Sequence, residues 1–217
     1  MLTGVNKVMR AYIYWDFVVN SAWGLLAPVF TVFLIQTVAS GNVLEGAKVA
    51  GFATFFYWIT KSILQIPIAN YLDKNHGEID DFWFYFLGTI MTGFVPLGFL
   101  FSVAAWQIYA LNIFHAVGMS MVIPSSYAIY VRHTDKGKEA YEGALDSTLL
   151  GVGVGITGAV GGVLVGIIGF KAIFILVALF TFISSIFIWV SRKGMLPKMP
   201  QGVHELPVSP DKENIAP

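Results

Sequence analysis

The chain contains no cysteine. That absence excludes disulfides, thiolate metal sites and a cysteine nucleophile, and it leaves the redox compartment open. Charge is scarce as well. Only 12% of the 217 residues are Asp, Glu, Lys or Arg, against about 25% in a soluble globular domain. Apolar residues make up 56% and the mean hydropathy is +0.71. Too little polar surface remains to coat a water-facing globule, so a soluble enzyme is nearly excluded. The 13 basic and 13 acidic side chains cancel, so nothing favours a nucleic-acid partner.

What the chain has instead is long apolar runs. A membrane-crossing helix takes roughly 20 apolar residues, so twelve would need about 240 and six fit comfortably. Charge-free intervals predict an all-α membrane protein with spans at about 11–38, 46–72, 82–102, 106–131, 143–168 and 172–190. The first run is too long for a secretory h-region and no A-x-A-like cleavage site follows it, so it is expected to be retained. Alternation of the outer-membrane-barrel type is missing. Lys7, Arg10, Lys74, Arg132, Lys136, Lys138, Arg192, Lys193, Lys198 and Lys212 fall on one side of this arrangement, and Lys48 and Lys171 on the other. The bias predicts both termini on the cytoplasmic side of the cell membrane. Tyr12, Tyr14, Trp15, Phe82–Phe86, Trp106, Tyr109 and Trp189 sit where an aromatic belt is expected. Residues 193–217, with Pro197, Pro200, Pro207, Pro210 and Pro217, read as a disordered cytoplasmic tail.

The fifth span carries the strongest local pattern. Gly151, Gly155, Gly158, Gly162, Gly166 and Gly169 recur at steps of four and three, and Ala144 and Ser147 extend the row. This spacing lines up one helical face. Each glycine costs up to about 1 kcal/mol of helix propensity, and small residues let helix backbones approach closely in lipid. Two readings follow: packing within the chain, or a seal against a second copy or another half through Gly151, Gly155, Gly158, Gly162 and Gly166.

Taken with its neighbours, this span completes an ordered set of motifs. Gly24-Leu25-Leu26-Ala27-Pro28 lies in the first helix, Ala69-Asn70-Tyr71-Leu72-Asp73-Lys74 follows the second, and Gly118 precedes Pro124 in the fourth. Gly158-Ala159-Val160-Gly161-Gly162 and Gly169-Phe170-Lys171-Ala172-Ile173-Phe174 complete the set. The chain resembles one six-helix half, two inverted three-helix repeats, of a major facilitator superfamily transporter. The resemblance runs from about Tyr12 to Val190 and implies a central cavity lined by helices one, two, four and five, with three and six peripheral. It also implies a second half, and hence a homodimer in which the glycine face meets helix two of the partner. The chain departs from the pattern in places. Glu78, Asp80 and Asp81 replace the loop's basic residues, the fourth-helix arginine falls at Phe114 beside His115, and Ala159 stands for a proline. Asp73, Lys74 and Arg132 are therefore the expected gating-loop group, with Arg132 as a partner for Asp73.

Ionisable groups inside a span cost about 2.5–3.5 kcal/mol on insertion scales and generally face a cavity or partner. Asp16, Lys61, His115 and Asp146 qualify, and all fall on the helices that the resemblance assigns to the cavity. With Asn20, Trp23, Tyr57, Gln65 and Asn112 they form the expected solute and ion path. Plainer roles compete: helix capping or solvation for Asp16 and Asp146, snorkelling for Lys61, and a satisfied hydrogen bond for His115. His115 is the proton-coupling candidate, since imidazole titrates near neutral pH. The sequence contains no nucleophile elbow and no zinc-binding pair, and Gly153–Gly158 matches G-x-G-x-x-G inside an apolar span with no strand before it. No enzyme, cofactor or metal is expected. The reading is a half-size secondary transporter moving a small solute, with or without protons, through the lipid bilayer by alternating access. The alternative is a non-transporting six-helix subunit or partner protein. The Met start and the polar end favour a whole chain over a truncated half.

Overall fold

A computed structural model describes residues 4–75 and 78–195. Among these residues the chain is helical, in five segments: α1 (Lys7–Phe33), α2 (Val43–Asn75), α3 (Glu78–Phe99), α4 (Ala105–His133) and α5 (Glu139–Met195). A short π-helical turn, Leu34–Val38, extends α1. The chain leaves it through Ser40 (φ 50°) and Gly41 (φ 88°). At its far end, α5 keeps Lys193 to Met195 helical, past the expected start of the tail. The proline-rich stretch from 196 onward, with Lys198, His204 and Lys212, lies outside the described residues, as do His76 and Gly77.

Gly169 divides α5. Its φ of 76° and ψ of 169° are not helical, and only glycine adopts such a conformation at little cost. The packing shows that the chain reverses there. Leu145 clusters with Val5, Met9 and Ile13 near the start of α1, Phe170 and Phe174 meet Phe33 at the end of α1 with ring centroids 5.6 Å and 4.8 Å apart, and Gly194 lies back beside Val8. Every polar tie described at the N-terminal end of α1 joins that same pole. The Asn6 amide donates to the carbonyl of His133 (2.6 Å) and to Asp135 (2.9 Å), and Lys138 donates to the carbonyl of Gly4 (2.7 Å).

Four stretches are long and apolar enough to cross a membrane: Lys7–Val38, Ile79–Phe99, Ala105–His133 and Glu139–Gly194. The expected span at 46–72 falls within α2 but is not among them. Tyr57, Trp58, Lys61 and Gln65 dilute its apolar content.

The core is built from two seams. Between α1 and α5, a β-carbon added at Gly24 would meet Thr157, one at Gly153 would meet Ser21 and Phe17, and one at Gly161 would meet the Leu25 backbone. Between α3 and α4, Gly88 and Gly118 oppose each other; a β-carbon at Gly88 would sit 2.7 Å from the Gly118 carbonyl. Phe33, Phe99, Ile108, Phe174 and Val177 fill one pole, and Trp15, Phe82, Tyr85, Val122 and Ile188 fill the other. The aromatic belt is therefore partly internal. Trp83, Trp106 and Trp189 are exposed, but Trp15, Phe82 and Tyr85 are core residues.

Asn6 caps α1 by accepting from the Met9 N–H (2.9 Å), and its donation to Asp135 holds that carboxyl below the usual carboxylate range. Asn6→Ala is expected to destabilise the fold by about 1 kcal/mol through the lost cap. It also removes the pH sensitivity of this tie. A depressed carboxyl contributes stability above its unfolded value of about 3.9, and that contribution fades as pH falls through the folded value. The gap between the thermal midpoints of wild type and variant should thus narrow in acid, below about pH 4, to the part that the lost cap leaves at every pH, as detergent-phase scanning fluorimetry would record.

Candidate functional site

Two cavities lie side by side within the bundle. The first, about 390 Å³, is bounded by α1 (Tyr12, Trp15, Asp16, Asn20, Trp23), α3 (Thr89, Thr92), α4 (His115, Met119, Ser126) and Leu150 of α5. The second, about 400 Å³, is bounded by Trp23, Phe30, Thr54, Tyr57, Trp58, Phe99, Asn112 and His115. Trp23 and His115 belong to both. Their rings stack at 4.3 Å with planes 13° apart, so this pair is the wall between the two chambers. Tyr57 backs the imidazole at 5.1 Å.

The helical register explains the first chamber. Tyr12, Asp16, Val19, Asn20 and Trp23 follow steps of three and four, which stack on one face of α1. Asn20 donates to the Asp16 carboxylate (2.8 Å) and to the Asp16 carbonyl (2.9 Å), fixing that carboxylate one turn before the amide. Asp146 interacts electrostatically with Asp16 and with Tyr12. Several polar atoms at this chamber have no protein partner. The indole N–H groups of Trp15 and Trp23 and the Thr92 hydroxyl are buried and unbonded. Asp146 lines neither cavity, and one of its oxygens is likewise buried and unbonded. Thr89 is different: its hydroxyl donates to the Tyr85 carbonyl (2.8 Å).

Asp16, Asn20, Trp23 and His115 are thus brought together as the sequence suggests, and Tyr57 and Asn112 join them through the second chamber. Lys61 and Gln65 line neither cavity. The Lys61 ammonium lies 4.6 Å from the Trp58 ring centre and 5.8 Å from that of Tyr57. Asn112 is tied to its own helix, donating to the Ile108 carbonyl (2.9 Å). Sequence reasoning missed Trp15, Thr89, Thr92 and Ser126. Helix three is not peripheral to the cavity, because Thr89 and Thr92 face it. The sequence offers no clear signal for them, since hydroxyl groups in an apolar helix, as at Tyr85, Thr89 and Thr92 of α3, commonly serve packing or bond their own backbone.

The group at the other end is also rearranged. Asp73 and Lys74 stand in the last turns of α2 rather than in a loop. Asp73, but not Lys74, shares a depression with Arg132, lined by Asp73, Pro124, Tyr127 and Arg132. Among the described residues, however, Arg132 forms its ion pair with Asp81 rather than Asp73. Asp81 is fully buried, while the arginine side chain is 33% exposed.

The glycine row of α5 splits between two faces. Gly153 and Gly161 bear on α1, whereas a β-carbon added at Gly151, Gly155, Gly162 or Gly166 would meet nothing within 4 Å. Gly158 lies between, 3.8 Å from the Gly24 carbonyl.

A search of curated proteins finds no match. A family model described as Major Facilitator Superfamily matches residues 16–212. The match takes in the second chamber, the Asp81–Arg132 pair, α2 to α5 and all of α1 from Asp16 onward, and leaves out Tyr12 and Trp15 of the first chamber. The family match, together with apolar helices of membrane-crossing length, supports a multi-pass membrane protein of transporter type. The chain belongs to the Major Facilitator Superfamily.

Proposed function

We propose that the chain is a half-size secondary transporter that moves a small solute by alternating access, working as a homodimer in the cell membrane. The observation that carries the dimer is the bare face of α5. Glycine at Gly151, Gly155, Gly162 and Gly166 costs helix propensity and relieves no contact inside one chain. A second backbone brought against that face gives those glycines a purpose. Exposed Phe52, Phe55, Ile59, Ile63 and Ile66 on α2 supply the matching apolar surface.

The proposed topology has six passes. As a single straight helix, α5 would run about 85 Å at 1.5 Å per residue, far beyond a hydrocarbon core of about 30 Å; the reversal at Gly169 makes it two. Lys7, Arg10, Lys74, Arg132, Lys136, Lys138, Arg192 and Lys193 lie toward the pole that holds Asn6 and His133, which supports cytoplasmic termini. Asp16, Asp146 and His115 are the groups proposed to carry protons with the solute, and the Trp23–His115 wall is the proposed divide between its two resting places.

Light scattering in detergent tests the assembly. Wild type is expected at twice the chain mass of 23.8 kDa, and Gly155→Leu with Gly162→Leu at one chain mass, with uptake into liposomes lost. Wild type at one chain mass would overturn the homodimer and favour a six-helix subunit that serves a different partner.

A further inference from the structure

A further cavity, of about 300 Å³, lies at the pole opposite Asn6 and His133, where the ends of α1 and α3 meet the reversal of α5. Phe33, Phe99 and Phe174 are buried and make its packed floor. The Phe174 ring centre lies 4.8 Å from that of Phe33 and 5.7 Å from that of Phe99. Leu100 and Phe170, half-buried, and Ile168, 43% exposed, form the apolar wall that a ligand can reach. Thr37 and Lys171, both exposed, form the rim. Neither of these two lines the chambers described above, and Phe99 is the wall held in common with the second.

The charge at this rim has one sign. Among the described residues no Asp or Glu lines the cavity, and Lys171 forms no ion pair. Glu45, where α2 begins at the same pole, is taken up by Lys48 at 2.7 Å. An ammonium offers three donors and no acceptor, and the Thr37 hydroxyl can add another donor. A volume of about 300 Å³ is at the lower edge of small-molecule pockets. It admits one ring or one short chain, not the paired chains of a phospholipid.

We propose that this cavity binds a small amphiphilic organic anion, an acidic head on a single ring or short chain. The head lies at the Lys171 ammonium and the Thr37 hydroxyl, and the apolar group lies against Leu100, Ile168 and Phe170. A ligand with an ammonium head is repelled by Lys171. The site is separate from the solute path and stands whether or not the chain moves a solute.

Equilibrium dialysis of radiolabelled 4-phenylbutyrate against the purified full chain in detergent, blanked with empty micelles, tests this. Saturable binding is expected, and it should weaken as salt rises. Unlabelled phenylbutyrate should displace the label. 4-Phenylbutylamine, which keeps the ring and chain and reverses the charge, should not, and neither should dimyristoyl phosphatidylglycerol. Lys171→Gln should weaken binding about threefold to fivefold, and Thr37→Trp, which sets a bulky ring in the rim, should abolish it. No saturable binding above the blank, equal displacement by the amine, or unchanged affinity in both variants overturns the proposal. Full displacement by phosphatidylglycerol also overturns it, by giving the cavity to lipid. Should Thr37→Trp fail to fold, Lys171→Gln and the amine competition decide.

Discussion

Gly161→Leu is expected to abolish folding, whereas Gly162→Ala, one position away, is expected to stabilise the chain. The first places a side chain where the Leu25 backbone of α1 already lies. Backbone cannot rotate aside as a flexible side chain can, so α1 and α5 must part along their length. Overpacking typically costs about 1–3 kcal/mol where side chains give way, and Gly161→Ala should fall in that range. Leucine at the same place should exceed it and leave no monodisperse protein. At Gly162 an added β-carbon meets nothing within 4 Å of its own chain, and alanine is still small enough for a close helix contact with a second copy, so it gains helix propensity of up to about 1 kcal/mol. Fluorescence-detected gel filtration after heating would compare the variants. Equal thermal midpoints for Gly161→Ala and Gly162→Ala would mean that the α1–α5 seam is wrongly placed.

Arg132→Ala should be nearly as damaging, for an electrostatic reason. Asp81 is fully buried and one of its oxygens has no partner even with the arginine present. Removing the guanidinium strands that carboxylate. Breaking a buried pair costs about 3–5 kcal/mol. Because the Arg132 side chain is 33% exposed, water already screens the interaction and about 2–4 kcal/mol is the expected loss. Asp81→Asn combined with Arg132→Gln should recover most of it, since no uncompensated charge remains. Thermal unfolding of the single and double variants gives the answer. A double variant no better than Arg132→Ala alone would show that packing of the arginine stem, rather than its charge, holds the two helices.

The same two regions show how far the sequence could be read. Helices, reversals and the poles to which basic residues belong follow from apolar run length, Gly169 and the spacing of charge, because lipid-crossing segments leave a coarse compositional trace. Which glycine does what does not follow. Gly151, Gly155, Gly158 and Gly162 form the longer row of glycines, yet Gly153, Thr157 and Gly161 make the intramolecular seam. Both rows consist of small residues three or four apart, and only the position of α1 separates them. Asp81 was legible as a departure from a basic loop but not as the partner of Arg132, because that pairing depends on how α3 and α4 cross at Gly88 and Gly118. The α1 half of the chamber was readable from Asp16, Asn20 and Trp23 at helical spacing. The α3 half was not, since a threonine in an apolar helix commonly bonds its own backbone, as Thr89 does, and nothing in the sequence sets Thr92 apart.

The stacked rings of Trp23 and His115 impose a kinetic consequence. Neighbouring vestibules divided by one indole and one imidazole can be joined by turning side chains, with every helix left in place. Such a shutter can work faster than the rocking of whole bundles, and its timing is set by a single aromatic contact on α1 and α4. Substituting a smaller ring at either position would leave the shutter ajar.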